Sequence, residues 1–95
     1  MKFAAIIEYN QDKAKIAEIR PTHRQYLATL KANGQLAASG PFTDDYGALI
    51  VYEAATKEEA EGFLKADPFN AAGIFVKYVI RPWNTVIANR ELFPA

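Results

Sequence analysis

The chain has 95 residues, a length that fits a single domain spanning residues 1–95. Its 11 basic side chains (Lys and Arg) balance its 11 acidic ones, so it lacks the positive charge with which proteins bind nucleic acids or anionic membranes. The absence of cysteine excludes disulfides, thiolate nucleophiles and cysteine-ligated zinc, and a single histidine argues against any metal site built by the protein.

The N-terminal segment predicts a β-strand. Residues Lys2 to Tyr9 form an apolar run rich in Phe, Ile and Ala, as in a strand with at least one buried face. A basic residue before an apolar run is also a feature of signal peptides, but this run ends at Glu8 and no small-residue cleavage site follows. No window is long and apolar enough to span a bilayer. We therefore expect a cytoplasmic protein that does not bind membranes.

The next segment predicts a helix that is interrupted near its middle. Apolar side chains and one histidine recur at spacings of three and four, the period of one helical face: Ile16, Ile19, His23, Tyr26, Leu27 and Leu30. Proline costs about 3 kcal/mol or more inside a helix, but it is favourable in the first turn. We therefore expect an irregular segment through Arg20, then a regular helix from about Pro21 to Ala32 that Gly34 ends.

A hairpin and a second helix follow. Leu36 to Phe42 and Ala48 to Glu53 are apolar runs, and the turn-forming residues 43–47 between them predict an antiparallel hairpin. Thr56, with a glutamate three residues later, forms a capping box that starts a helix. This helix should end near Ala66, because the proline that follows disfavours helical geometry at the residue before it.

The last predicted strand completes the architecture. Ile74 to Ile80 forms this strand, Arg81-Pro82-Trp83 ends it, and a short helix is expected around Val86 to Leu92. The order β-α-β-β-α-β is typical of ferredoxin-like α+β proteins, in which both helices cover one face of a four-stranded antiparallel sheet. Because the strands are apolar nearly throughout, we expect the open face to meet a second copy of the chain in a homodimer.

His23 is the first candidate for chemistry, since histidine is the residue type that gains and loses a proton near neutral pH. Its position on the apolar helical stripe points it toward the sheet. Spacing alone favours a core histidine that hydrogen-bonds its neighbours. The alternative is a general acid or base lining a cavity between helix and sheet. His23 as the axial ligand of a haem is conceivable, but no other residue pattern supports it.

Asp67 is the natural partner for such a histidine. It follows a helix end, where a carboxylate is unfavourable with respect to the helix dipole, and this suggests a positive or hydrogen-bonding partner. A carboxylate bound to one ring nitrogen of a histidine fixes its tautomer. The alternative is an ordinary helix terminator or Asx-turn before Pro68.

Three other features are weaker candidates. Ser39-Gly40-Pro41 could expose a hydroxyl and a backbone amide at the mouth of a cleft, although a hairpin bend is the simpler interpretation. Arg20 and Arg81 could bind a carboxylate substrate, although solvated surface arginine is the default. Aromatic residues are more often part of a core or interface than a cofactor platform: Tyr9, Tyr52, Phe75, Tyr78 and Trp83.

The ordered set of motifs resembles one known family. It comprises Arg20-x-x-His23-x-x-Tyr26-Leu27, Gly34, Ser39-Gly40-Pro41-Phe42, Gly47, Glu59-Ala60, Asp67-Pro68-Phe69, Gly73 and Pro82-Trp83. In this order the motifs resemble the YciI-like (YCII-related) family of small bacterial proteins. The resemblance implies a dimeric α/β barrel of ferredoxin-like subunits, related to muconolactone isomerase and cofactor-free monooxygenases. It also implies a cleft that holds His23 and Asp67.

These observations lead to a functional hypothesis. We expect an enzyme without metal or organic cofactor, in which Asp67 orients His23 and His23 moves a proton on a small carbonyl-bearing substrate, in an isomerisation or an elimination. The resemblance implies relatives that are isomerases or that eliminate chloride from chlorinated ring products, so dehydrochlorination is one reaction it implies. Substrate-binding residues would be Arg20, Ser39, Gly40, Pro41 and Phe69. Two alternatives remain open: a non-catalytic dimer that binds a small metabolite, and a purely structural role for His23.

Overall fold

A four-stranded sheet covered by helices forms the fold, in a computed structural model that describes residues 1–94. In chain order the elements are β1 (Lys2–Tyr9), α1 (Lys13–Ala32), β2 (Leu36–Pro41), β3 (Gly47–Glu53), α2 (Lys57–Lys65), α3 (Pro68–Ala71), β4 (Phe75–Trp83) and a 3₁₀ turn at Arg90–Leu92. All strand pairs are antiparallel, in the spatial order β2-β3-β1-β4. This arrangement confirms the predicted α+β ferredoxin-like fold. Within residues 1–94, no helix is both long and apolar enough to cross a membrane.

The core lies between the helices and one face of the sheet. Alternate residues of the central strand β1 are buried on that face, ending with Ile7 and Tyr9. The helices contribute Ile16, Leu27, Leu30, Ala60 and Leu64 to the same core. On the opposite face, Ile6 lies between Leu49 of β3 and Val79 of β4, and all three side chains are exposed. The sheet therefore has an apolar open face as well as an apolar covered one.

The predicted interruption of the first helix is wrong. α1 runs unbroken from Lys13 to Ala32, with Pro21 inside it. Asp12 caps the helix by accepting a hydrogen bond from the Lys15 amide (3.1 Å), so the helix begins at the residue after Asp12. Because proline has no backbone N–H, Pro21 cannot donate the usual helical hydrogen bond to the carbonyl oxygen of Ala17. Both residues are exposed, so water can bind that oxygen instead.

Other elements also depart from the predictions. A short helix, α3, follows directly after α2, where the sequence predicted only a terminator. β4 continues through Pro82 to Trp83, which pairs with Lys2. Proline is accepted there because β4 is an edge strand and needs no donor on its outer side. The predicted C-terminal helix is limited to the 3₁₀ turn at Arg90–Leu92. β2 ends one residue before Phe42.

Glycine is required at Gly47, where β3 begins. Gly47 pairs with Glu8 near the end of β1, where the two backbones approach closely. A Cβ at Gly47 would therefore overlap the backbone carbonyl oxygen of Ile7. We expect Gly47→Ala to lower the free energy of unfolding by about 2–4 kcal/mol, since backbone atoms of two strands would have to separate. Chemical denaturation followed by circular dichroism measures this loss.

Gly62→Ala is the matched control. Gly62 lies on the exposed side of α2 with open space around it, so alanine there should stabilise the protein by about 0.5–1 kcal/mol. Equal stability changes for the two substitutions would contradict the close contact at Gly47.

Candidate active site

The central feature of the site is a buried contact between His23 and Asp67. Nδ1 of His23 lies 2.7 Å from Oδ1 and 2.9 Å from Oδ2 of Asp67. His23 is 6% exposed and Asp67 is not exposed at all. A carboxylate in such a place requires hydrogen-bonding partners, because its hydration has been lost. His23, which is 44 residues away in the sequence, is one of these partners.

Asp67 is held in place by the backbone as well as by His23. It is the N-cap of α3, and its Oδ1 accepts a hydrogen bond from the Phe69 amide at 2.9 Å. Pro68 occupies the first position of that helix, where its missing N–H costs nothing. Asp67 directly follows Ala66, the residue that caps the C-terminus of α2, so it lies just beyond a helix end, as the sequence indicated. The hydrogen-bonding partners expected for a carboxylate in this place are His23 and the Phe69 amide.

The His23 ring is fixed by aromatic neighbours. Phe69 stacks on it with ring centroids 3.9 Å apart and an angle of 5° between the planes. Phe75 meets the same ring edge-on, and Tyr9 meets Phe69 edge-on. Because Nδ1 is hydrogen-bonded to Asp67, Nε2 is the ring nitrogen that is available to a ligand. The geometry is that of a general acid or base with an orienting carboxylate.

A cavity of about 120 Å³ opens beside His23, between α1, α3 and β2. It is lined by Tyr9, Arg20, His23, Arg24, Leu27, Ser39, Gly40, Pro41, Ala48, Ile50 and Phe69. Six of the residues expected at a site from the sequence thus surround one space: Arg20, His23, Ser39, Gly40, Pro41 and Phe69. The seventh, Asp67, lies behind His23 and contacts it directly. Arg81 lies in β4 beside Ala4 and lines no part of the cavity.

Sequence reasoning missed Tyr9 and Arg24. Tyr9 was assigned to the core, and its buried ring agrees with this, but the residue also lines the cavity. Burial raises the pKa of Tyr9 to about 12, with a further contribution from the Asp67 carboxylate that Arg20 and Arg24 oppose. Tyr9 is therefore a neutral hydroxyl at physiological pH. Arg24 follows Arg20 by four residues, so the helical period could have identified it.

A second tyrosine lies deeper than the cavity. The hydroxyl of Tyr52 is buried and has no hydrogen-bond partner among residues 1–94. Burial and the Asp67 carboxylate both raise the pKa of Tyr52 above its usual range. Among the same residues, no cluster of three or more histidine or acidic side chains could bind a metal ion.

Comparison with known proteins identifies the family and a similar fold. Residues 1–84 match the family model described as the YCII-related domain. The chain is 32% identical over 92 residues to Protein YciI from Escherichia coli O6:H1 and from Shigella flexneri, covering 82% of this chain and 94% of each relative. Among solved structures, it resembles 5-chloro-2-hydroxyhydroquinone dehydrochlorinase (TftG) from Burkholderia phenoliruptrix AC1100, in complex with 2,5-dihydroxybenzoquinone. The TM-score is 0.77 at 26% identity, covering 88% of this chain and 94% of that one.

The buried pair makes a prediction about stability. His23→Ala leaves Asp67 buried with one backbone donor, so we expect it to lower the free energy of unfolding by about 3–5 kcal/mol. His23→Asn keeps an N–H one bond from Cγ, as Nδ1 is in histidine, and should cost no more than about 2 kcal/mol. Urea denaturation at neutral pH and one fixed protein concentration measures both losses. If the two variants were equally stable, the hydrogen bond to Asp67 would not account for the effect.

Proposed function

Because the chain belongs to the YCII-related domain family, we propose that it is a small-molecule enzyme that uses His23 and Asp67 for acid–base chemistry without a cofactor. The observation that carries the proposal is the Nδ1–carboxylate contact of 2.7 Å in the wall of a cavity. A buried, oriented histidine whose second nitrogen is free for a ligand is what proton transfer to or from a substrate requires.

In this mechanism His23 is the group that moves the proton. Nε2 takes a proton from a hydroxyl or from a carbon next to a carbonyl, and the imidazolium that forms is stabilised by the Asp67 carboxylate behind it. In an isomerisation the same nitrogen returns the proton to a different atom of the substrate. In an elimination the leaving group departs with its bonding electrons, and the proton passes later to water.

The opposite wall of the cavity offers hydrogen-bond donors for the oxygen that becomes negative. Ser39 and Gly40 belong to the edge strand β2 and are exposed at the cavity mouth. The Ser39 hydroxyl, or the backbone at Gly40, can stabilise an enolate or phenolate oxygen while His23 holds the proton. Phe69 provides an apolar surface next to the imidazole, which suits a flat substrate.

The chemistry named for the similar structure supports the elimination branch. TftG is named as a dehydrochlorinase of a chlorinated hydroxyhydroquinone, and its structure holds a dihydroxybenzoquinone. Such a reaction removes a proton and a chloride ion and needs no external oxidant. A closed cavity of about 150 Å³ holds one benzene ring, so the space of about 120 Å³ beside His23 is close to the size of one small ring.

We expect His23→Asn to abolish turnover while the protein remains folded. The assay offers 5-chloro-2-hydroxyhydroquinone, the substrate named for the similar enzyme, together with small ring lactones, and follows chloride release and ultraviolet absorbance. Loss of Nε2 should lower kcat by about 100-fold or more. Asp67→Asn should also lower kcat, because the imidazolium loses its countercharge. Glu58→Gln, which removes an exposed carboxylate on α2, should leave kcat unchanged.

The competing function is binding without catalysis. If the wild-type protein bound members of this panel but converted none of them, and His23→Asn merely weakened that binding, a metabolite-binding module would replace the enzyme. If His23→Asn changed stability alone, His23 would be a structural residue.

A homodimer is part of the same proposal. The open face of the sheet carries Ile6, Leu49 and Val79 side by side, and these residues are 47%, 37% and 46% exposed. Contiguous apolar surface of this kind is rarely left in contact with water, and the face-to-face packing of two sheets would bury it. A two-fold axis would place the same patch on both subunits.

We expect the wild-type protein to sediment as a dimer and Ile6→Lys to sediment as a monomer. A lysine at the centre of the patch would bury a charge against an apolar surface. Ala28→Lys adds the same charge on the exposed side of α1 and should remain dimeric. Analytical ultracentrifugation at micromolar concentrations distinguishes these states, and a dimeric Ile6→Lys protein would show that the open face is not the interface.

A further inference from the structure

The cavity beside His23 carries positive charge that the proposed proton transfer does not use. Arg20 and Arg24 both line it, four residues apart on the same face of α1. Neither forms a salt bridge within residues 1–94, where the ion pairs join Glu53 to Met1 and Lys2, Lys13 to Asp45, and His23 to Asp67. Two arginines therefore line one space, and neither forms an ion pair with a carboxylate of residues 1–94.

Tyr9 adds a neutral donor to the same wall. The hydroxyls of Tyr26 and Tyr78 donate to the Phe63 carbonyl and to Glu61, whereas the Tyr9 hydroxyl has no hydrogen-bond partner within residues 1–94. Tyr9 is 7% exposed and lines the cavity, and its hydroxyl oxygen is not among the buried atoms that lack a partner. An accessible hydroxyl without a protein partner is a donor available to a ligand.

The position of these donors indicates where a ligand group would lie. A second cavity of about 180 Å³ adjoins the first, and Tyr9, Arg20 and Pro41 line both. Tyr9 and Arg20 therefore lie where the two spaces adjoin, and Arg24 lines the space beside His23. Lys13, which lines the second space together with Arg20, already faces Asp45 at 3.5 Å.

We propose that the substrate is a small organic carboxylate, held through its anionic group by Arg20, Arg24 and Tyr9 while its reacting end faces His23. This inference names the substrate class of the proposed function and rests on it. A guanidinium matches the two oxygens of a carboxylate with two parallel hydrogen bonds, and a phenolic hydroxyl adds a third. In a space with limited water these contacts gain strength and also fix the substrate's orientation relative to Nε2.

Equilibrium binding tests this without any need for turnover. The probes are benzoate and crotonate, each paired with its neutral amide, titrated into the full-length protein and followed by calorimetry or ligand-observed NMR. We expect each acid to bind at least about tenfold more tightly than its amide, and Arg20→Gln and Arg24→Gln each to weaken the acid by about tenfold or more. Tyr9→Phe should weaken the acids and leave the amides less affected.

Two controls separate charge at the site from charge elsewhere. Arg24→Lys keeps the positive charge but cannot form two parallel hydrogen bonds to a carboxylate, so this variant should bind the acids more tightly than Arg24→Gln and less tightly than the wild type. Lys31→Gln removes a cation from the same helix, about two turns beyond Arg24 and outside both cavities, and should leave acid binding unchanged.

The outcomes distinguish this inference from the proposed function. Equal binding of acids and amides, no binding of either acid, or insensitivity to Arg20→Gln and Arg24→Gln would overturn the carboxylate assignment, whatever the enzyme assay shows. Acid-selective binding that depends on the arginines, in a protein that turns over no substrate, would support the carboxylate site and reject the enzyme.

Discussion

The placement of one carboxylate where water does not reach is the constraint on which the site depends. Burying Asp67 is costly unless each of its oxygens finds a donor, and the structure supplies the Phe69 amide and the His23 ring. The first donor comes from the local turn, since Asp67 caps the helix that contains Phe69. The second comes from α1, 44 residues away, so the contact joins two parts of the chain that no local rule connects.

That contact lies where α1 packs against α3. His23 follows Pro21 in α1, and Asp67 caps α3. The stacking of Phe69 on the imidazole then fills the space beside the pair and restricts rotation of the ring. One short segment, Asp67-Pro68-Phe69, thus supplies the carboxylate, the helix start and the aromatic surface. A single change there would alter three interactions at once.

How much the sequence predicted depends on how local the determining interaction is. β1 was predicted with its observed ends, and the capping box at Thr56 marked the start of α2, because both signals lie within a few residues. The end of β4 at Trp83 depends on pairing with Lys2 at the other end of the chain, which no local pattern contains. The cavity residue Tyr9 was missed for the same reason, since its role depends on which helix covers the end of β1. Arg24 was missed although its helical spacing from Arg20 was visible in the sequence.

The two walls of the cavity differ in burial and in the contacts that hold them, and under the proposed function this difference suits them to different tasks. His23, Asp67 and Phe69 are buried and hold one another through hydrogen bonds and stacking, so their geometry is fixed before a ligand arrives. The opposite wall belongs to β2, an edge strand that pairs on one side alone and whose Ser39 and Gly40 are exposed. A proton transfer requires placement to within a fraction of an ångström, which suits the first wall. Accommodation of different ligands suits the second, where a strand can adjust without disturbing the core.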